Sequence, residues 1–134
     1  MHWYVYHSRN TMGHAYSNAE ARVVYSSKLQ PKLCLGDTVW VVEGDECSPA
    51  NFALVDTFLV RSTDVPSRVG PYTKFKLQVS GGESLLKCSV PLTSKLSWFE
   101  SLHSRYITKQ RFFMSLTAEP DIESGFRQVA SDAI

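Results

Sequence analysis

The sequence has almost no excess charge of either sign and no long hydrophobic run. Its 14 lysine and arginine residues stand against 13 aspartate and glutamate residues, which gives a formal net charge of +1. A domain that binds nucleic acid through bulk charge usually has a pI above about 9, so any such binding here needs a local basic face. No apolar stretch approaches the roughly 20 residues of a membrane helix, and no signal-peptide pattern opens the chain. We therefore expect a cytoplasmic protein with no membrane association.

Cysteine is scarce and irregularly spaced. Cys34, Cys47 and Cys88 are odd in number and form no C-x-x-C pair, so neither a disulfide framework nor a zinc site is expected. We interpret all three as reduced, buried thiols. The chain also lacks the motifs of zinc deaminases and of phosphate-binding glycine loops. The sequence therefore predicts neither a cofactor nor an enzymatic activity.

Apolar residues, in contrast, make up 43% of the chain, which argues against disorder. The length suits one domain spanning residues 1–134. The clearest pattern is a hairpin, in which the turn dipeptide Gly36-Asp37 precedes an apolar strand at 39–42. A second apolar strand at 52–60 follows a polar loop. Trp40 lies within the first of these strands, and we expect it in the core.

The residues before the hairpin predict one strand and leave a second element open. His2–His7 is rich in aromatic and β-branched side chains and predicts a strand, followed by a loop of turn formers at 8–13. Ser17 and Glu20 fit a capping box that would open a helix of about ten residues. Residues 23–25 favour a strand instead, and the sequence alone does not choose between the two.

The second half of the chain alternates short strands with helices. Alternation at 74–79 predicts a strand with one solvent-exposed face, and 84–90 is its expected partner. A short helix capped by Ser94, a strand at 111–116 and a final helix capped by Thr117 follow. The apolar stripe of that last helix consists of Ile122, Phe126, Val129 and Ala130. Together these elements predict an α+β fold, a small β-barrel of about five to six strands with two to three flanking helices.

The order of these elements resembles the EVE family, a branch of the PUA-like superfamily close to YTH domains. Segment 3–8 (WYVYHS) is similar to that family's first strand, with His7 where a lysine is common. Segment 14–22 (HAYSNAEAR) is similar to its tryptophan-led loop and helix, with Tyr16 in the place of the tryptophan. The hairpin described above, and segment 112–117 (FFMSLT) before the last helix, extend the resemblance over nearly the whole chain.

EVE and YTH domains hold one modified base in a cage. The resemblance therefore implies a DNA-binding module that recognises a modified base, foremost a modified cytosine such as 5-methylcytosine, by base flipping into an aromatic pocket. It also implies a targeting role in a modification-dependent restriction system, with a nuclease domain or subunit as partner. We expect the loop at 8–17 to form the pocket and the loop at 43–51 to supply its far wall. The expected pocket residues are His7, Ser8, Asn10, His14, Tyr16, Ser17 and Phe52.

A basic surface would complete such a site, since cations that contact phosphate set the register without reading sequence. The candidates are Arg9, Arg22, Arg61, Arg68, Lys74 and Lys76. Each feature has a plainer alternative, in which Tyr16 packs beside a helix and the cations form a solvated face. Two other functions stay open: an RNA-binding PUA-like module, and a divergent small-molecule hydrolase or interaction protein.

Overall fold

Strands and helices occur in both halves of the chain, as expected for the predicted α+β fold. The structure, a computed structural model, describes residues 1–16, 22–45, 47, 49–67 and 69–132. Its strands are β1 His2–His7, β2 Val23–Ser26, β3 Thr38–Gly44, β4 Phe52–Asp64, β5 Leu77–Gly81, β6 Val90–Leu92 and β7 Phe113–Ser115. Its α-helices are α1 Arg9–Met12, α2 Ser97–Leu102 and α3 Pro120–Asp132, and there is a 3-10 helix at Gly70–Lys74 and a π-helical turn at His103–Ile107.

One mixed sheet carries the architecture. Six strands follow the order β2-β5-β4-β3-β1-β7, and the short β6 pairs with β4 beside this path. Strand β1 runs parallel to β3, and the other pairs are antiparallel. The long strand β4 pairs with β3 up to Leu59 and with β5 from Val60 onward, so it joins the two parts of the sheet. The sheet curls into a half-barrel, which is compatible with a small barrel. The combination of this sheet with three α-helices confirms the α+β prediction.

Two core clusters cover the two faces of this sheet, because side chains alternate along each strand. On β1, Tyr4 belongs to the cluster beneath α2 and α3, whereas Trp3 and Val5 belong to the cluster inside the half-barrel. Strand β3 is buried on both faces, as its run of apolar residues predicts. Trp40 lies in the first cluster and stacks on Phe126 of α3 with ring centroids 5.4 Å apart. The predicted core position of Trp40 is confirmed.

The predicted stripe of α3 is also confirmed, since all four of its residues are buried in the first cluster. The predicted caps are wrong. Helix α3 begins at Pro120, three residues beyond Thr117, because proline with its fixed φ suits the first helical position. Helix α2 begins at Ser97, and no side chain caps it, so Ser94 is not its cap.

Two predictions for the first half need correction. The stretch 8–13 contains the short helix α1, which Ser8 caps by accepting a hydrogen bond from the Thr11 amide at 3.1 Å and which Gly13 ends with φ +81°. The helix expected to continue past residue 22 is wrong, and the alternative strand is confirmed as β2. The reason is tertiary: Val24 is buried in the second cluster while β2 pairs with β5. Residues 17–21, including the capping box, lie outside the described residues.

Two further corrections concern a predicted strand and the cysteines. Residues 84–90 do not form the expected partner of β5, because both edges of β5 are already occupied, one by β2 and the other by β4. The expectation of buried thiols is wrong as well: Cys34, Cys47 and Cys88 are all exposed. They lie in connections between strands, where the chain runs over the surface.

Candidate functional site

The half-barrel leaves a groove between the two ends of its sheet. Two cavities of about 260 Å³ and 370 Å³ adjoin there, since Tyr25, Ser27, Phe75, Gln110 and Phe112 line both. The first, which we call the mouth cavity, is also lined by Val5, Tyr6, His7, Ser8, Thr11, Met12, Val24 and Lys74. The second, the seam cavity, is also lined by Ser26, Lys28, Gln30, Arg111, Phe113 and Met114. We call the two together the seam groove.

Aromatic side chains flank the mouth cavity on both sides. Tyr6 at the end of β1 stacks on Phe112, just before β7, with ring centroids 4.9 Å apart. On the opposite side, Tyr25 of β2 contacts Phe75, with centroids 5.5 Å apart. These four rings are partly exposed. The mouth cavity therefore presents aromatic surface from both ends of the sheet to any ligand that enters it.

The seam groove carries positive charge without a balancing carboxylate. Lys28, Lys74 and Arg111 are exposed at its lining, and neither cavity is lined by an aspartate or glutamate. None of the three cations makes an ion pair with a carboxylate in the described part of the chain. The whole chain has a net charge of only +1. The positive charge of the groove is therefore local, and acidic residues outside the groove balance it.

One residue of the groove has an unfavourable backbone conformation. Gln110 lines both cavities and has φ +55°, the one non-glycine residue with positive φ in the described ranges. A side chain in this region costs roughly 1–2 kcal/mol, and such conformations concentrate at functional sites. The hydrogen bonds from the amides of Gln110 to the Ile107 carbonyl and of Arg111 to the Tyr106 carbonyl hold the turn.

A buried carboxylate beside the mouth cavity accepts hydrogen bonds from three neighbouring residues. Register places Glu43 of β3 beside His7 of β1, and Oε2 of Glu43 lies 2.7 Å from Nδ1 of His7. The same carboxylate accepts hydrogen bonds from Nε of Arg9 at 3.0 Å and from the amide of Tyr16 at 2.6 Å. Burial by itself raises the pKa of Glu43, but the donors His7, Tyr16 and Arg9 outweigh it and leave the pKa below its ordinary value.

A second buried carboxylate lies deeper in the half-barrel. A β-bulge between β3 and β4 leaves Val55 without a partner in the register and sets Asp56 opposite Val41. Asp56 is fully buried and accepts hydrogen bonds from the hydroxyls of Tyr16 and Ser84. Burial, together with the hydrogen bond to Asp56, raises the pKa of Tyr16 far above its ordinary value. The neutral hydroxyl of Tyr16 is the form that donates to Asp56.

The structure brings some of the expected pocket residues together and separates others. His7 and Ser8 line the mouth cavity. Asn10 is exposed on α1, and His14 is exposed with its ring centroid 5.6 Å from that of His7. Tyr16 is not among the lining residues of the groove. Phe52 lines two separate depressions, and Ser17 lies outside the described residues.

The expected phosphate contacts are similarly dispersed. Lys74 lines the mouth cavity, and Lys76 is exposed close to it in sequence. Arg9 is tied to Glu43 by a 3.0 Å ion pair. Arg61 is exposed beside Gly82, and Arg22 is half-buried with a buried Nε that has no partner in the described chain. Arg68 lies outside the described residues.

Sequence reasoning missed most of the groove. Its additional aromatic, cationic and strained members include Tyr6, Tyr25, Lys28, Phe75, Gln110, Arg111 and Phe112. A signal was present, since cations are interleaved with an aromatic ring at 74–76 (KFK) and lie next to aromatic rings at 109–113 (KQRFF). Such interleaving is typical of surfaces that bind single strands. The two segments are far apart in sequence, and only the curl of the sheet places them together.

Comparison with protein-family models, with curated proteins and with solved structures gives no match. Within the described ranges no cluster of three or more histidine, cysteine or acidic residues could hold a metal ion. None of the described helices is long and apolar enough to cross a membrane.

Proposed function

We propose that this chain is a nucleic-acid-binding module of the PUA-like, EVE-like class, which holds one unstacked base in the mouth cavity. The observation that carries the proposal is the composition of the seam groove, where four aromatic rings and three cations converge without a carboxylate. Stacking on aromatic rings contributes roughly 1–3 kcal/mol per base, and unpaired cations attract phosphate. The resemblance of the sequence to EVE domains supports the same class.

The dimensions of the cavity favour a small planar ligand. Its volume of about 260 Å³ is below the roughly 300–1,000 Å³ of pockets that hold drug-sized molecules. A base taken from a duplex loses a few kcal/mol of stacking and pairing, which rings such as Phe75 and Phe112 would offset. A methyl group on the base adds about 0.8 kcal/mol when it is buried. Modified cytosine in DNA is therefore our first choice of ligand, and RNA is the second.

The phosphates of the same strand would follow the cations of the seam cavity. Lys28 and Arg111 line the seam cavity, and Lys74 lines the adjoining mouth cavity, so a strand whose base enters the mouth would pass close to all three. Contacts of this kind add affinity without sequence preference. In this proposal the chain acts as a targeting module that leaves any cleavage of the nucleic acid to a nuclease domain or subunit.

The direct test is a fluorescence-polarisation titration at low salt. The probes are matched duplexes that carry cytosine, 5-methylcytosine, 5-hydroxymethylcytosine or N6-methyladenine, with a single-stranded RNA alongside. We expect one modified duplex to bind tightest, and Phe75→Ala to weaken that binding by roughly tenfold. Phe52→Ala is the matched control, because Phe52 is an equally half-buried phenylalanine outside the groove.

A salt series tests the cationic part of the proposal. Replacing Lys28, Lys74 and Arg111 with alanine should lower the slope of log affinity against log salt by about 1 for each lost phosphate contact. Lys95→Ala, an exposed lysine outside both cavities, should leave the slope unchanged. Equal, weak binding to every probe that Phe75→Ala does not alter would contradict the proposed function.

A further inference from the structure

His7 is anchored at one ring nitrogen only. Its side chain is buried at the end of β1, and Nδ1 lies 2.7 Å from Oε2 of Glu43. An ionised carboxylate can only accept hydrogen bonds, so Nδ1 carries the proton and donates it to Glu43. Arg9 and the Tyr16 amide donate to the same carboxylate and favour its ionised form. The hydrogen bond to Glu43 at Nδ1 therefore sets the tautomer of His7.

The other ring nitrogen is available to a ligand. Nε2 of His7 has no hydrogen-bond partner in the described part of the chain. The fully buried polar side-chain atoms without a partner do not include it, so this nitrogen is accessible. His7 lines the mouth cavity. With Nδ1 protonated, the neutral imidazole presents Nε2 as a hydrogen-bond acceptor.

We propose that Nε2 of His7 is the specificity-determining acceptor of the mouth cavity and selects bases with an exocyclic amino group, which are a 4-aminopyrimidine or a 6-aminopurine. This inference rests on the proposed function and adds the class of base. An amino group donates to Nε2, whereas the 4-oxo group of uracil or thymine places a second acceptor against it. Once the bound base has enclosed Nε2, an acceptor that faces it leaves both groups unpaired, and such mismatches give strong discrimination.

The groups around His7 restrict the orientation of its ring. Glu43 contacts it from β3, and Arg9 reaches the same carboxylate from α1. From the segment after α1, the rings of His14 and Tyr16 lie with centroids 5.6 Å and 5.5 Å from that of His7.

The test compares probes that differ only at the reading position. Matched oligonucleotides carry cytosine or uracil, and 5-methylcytosine or thymine, at one site, and affinities are measured by fluorescence polarisation. We expect a preference of about tenfold or more for the amino base.

Two variants separate reading from positioning. In His7→Asn, the amide nitrogen takes the place of Nδ1 and can still donate to Glu43, but nothing replaces Nε2, so the preference for cytosine over uracil should disappear. In Glu43→Gln, the amide can donate or accept, so it no longer fixes the tautomer and the preference should weaken. Thermal melting checks that each variant is folded. The wild-type comparison of cytosine with uracil needs no variant and stands if either fails to fold.

The outcomes distinguish this inference from the proposed function. Salt-dependent binding with equal affinity for cytosine and uracil overturns the role of His7 and leaves the nucleic-acid-binding proposal intact. A preference that survives in folded His7→Asn also overturns it. Absence of salt-dependent binding to every probe overturns both.

Discussion

The hydroxyl of Tyr16 donates a hydrogen bond to Oδ2 of Asp56, 40 residues further along the chain. Asp56 is fully buried at the β-bulge of β4, and Tyr16 packs against the second core cluster. The amide of Tyr16 is held at the same time by Glu43. Tyr16 thus fastens the segment after α1 to two strands of the half-barrel, and its ring is not a free wall of the mouth cavity.

This arrangement predicts that Tyr16→Phe affects stability more than binding. The substitution removes one partner of a buried carboxylate, which should lower the free energy of unfolding by about 1–3 kcal/mol. Urea denaturation measures the loss, and polarisation titration of the folded variant measures base affinity. A larger loss of affinity than in Phe75→Ala would instead place the base against Tyr16, as the sequence alone predicts.

Gly81 leaves room for a buried ring, and its replacement should be costly. A Cβ at this position of β5 would overlap the ring of Phe58, which is fully buried. Overpacking of this kind costs about 1–3 kcal/mol, so Gly81→Ala should lower the melting temperature. Gly82→Ala is the matched control. The nearest atom to its Cβ would be Nε of Arg61 at 2.9 Å, and this long, exposed side chain can shift. Equal melting temperatures for the two variants would disprove the close packing.

Acid should destabilise the protein through Glu43. The pKa of this carboxyl in the folded state lies below its ordinary value of 4.5, so the unfolded chain takes up a proton first as the pH falls. The stability that Glu43 contributes is therefore complete above about pH 4.5 and is lost as the pH falls through its folded pKa. Urea denaturation across this acid range should show a flatter pH dependence for Glu43→Gln than for wild type.

The control for this acid series is Glu83→Gln, which alters an exposed glutamate in the loop after β5. It should follow the wild-type curve. If Glu43→Gln follows that curve equally well, the hydrogen bonds of Glu43 with His7 and Arg9 do not contribute to stability in solution.

Gln110→Gly should separate the stability of the groove from its binding. Replacement by glycine usually costs about 0.5–1 kcal/mol in regular structure, but at φ +55° it relieves the strain of a left-handed side chain. We expect the free energy of unfolding to stay level or rise, and affinity for the preferred duplex to fall, because a polar lining group is lost. A clear loss of stability on denaturation, with unchanged affinity, would contradict a binding role for this residue.

How much of the molecule can be predicted from sequence depends on the range of the interactions involved. The strand His2–His7, the hairpin of β3 and β4, and the buried stripe of α3 follow from local periodicity, and the structure confirms them. The segment at 23–26 shows the opposite case. Its local pattern fits a helix or a strand, and only the pairing with β5 and the burial of Val24 in the second core cluster decide for the strand.

The candidate site divides in the same way. The sequence by itself determines the α+β class, the near-neutral charge, and the strand that ends at His7 before a polar segment that begins at Ser8. Only the tertiary structure decides that His7 and Ser8 face Lys74, Phe75 and Phe112 across a groove. The reason is that these residues come from three distant segments, which the curl and register of the sheet bring together, whereas residue periodicity reports only on neighbours within one helix or strand.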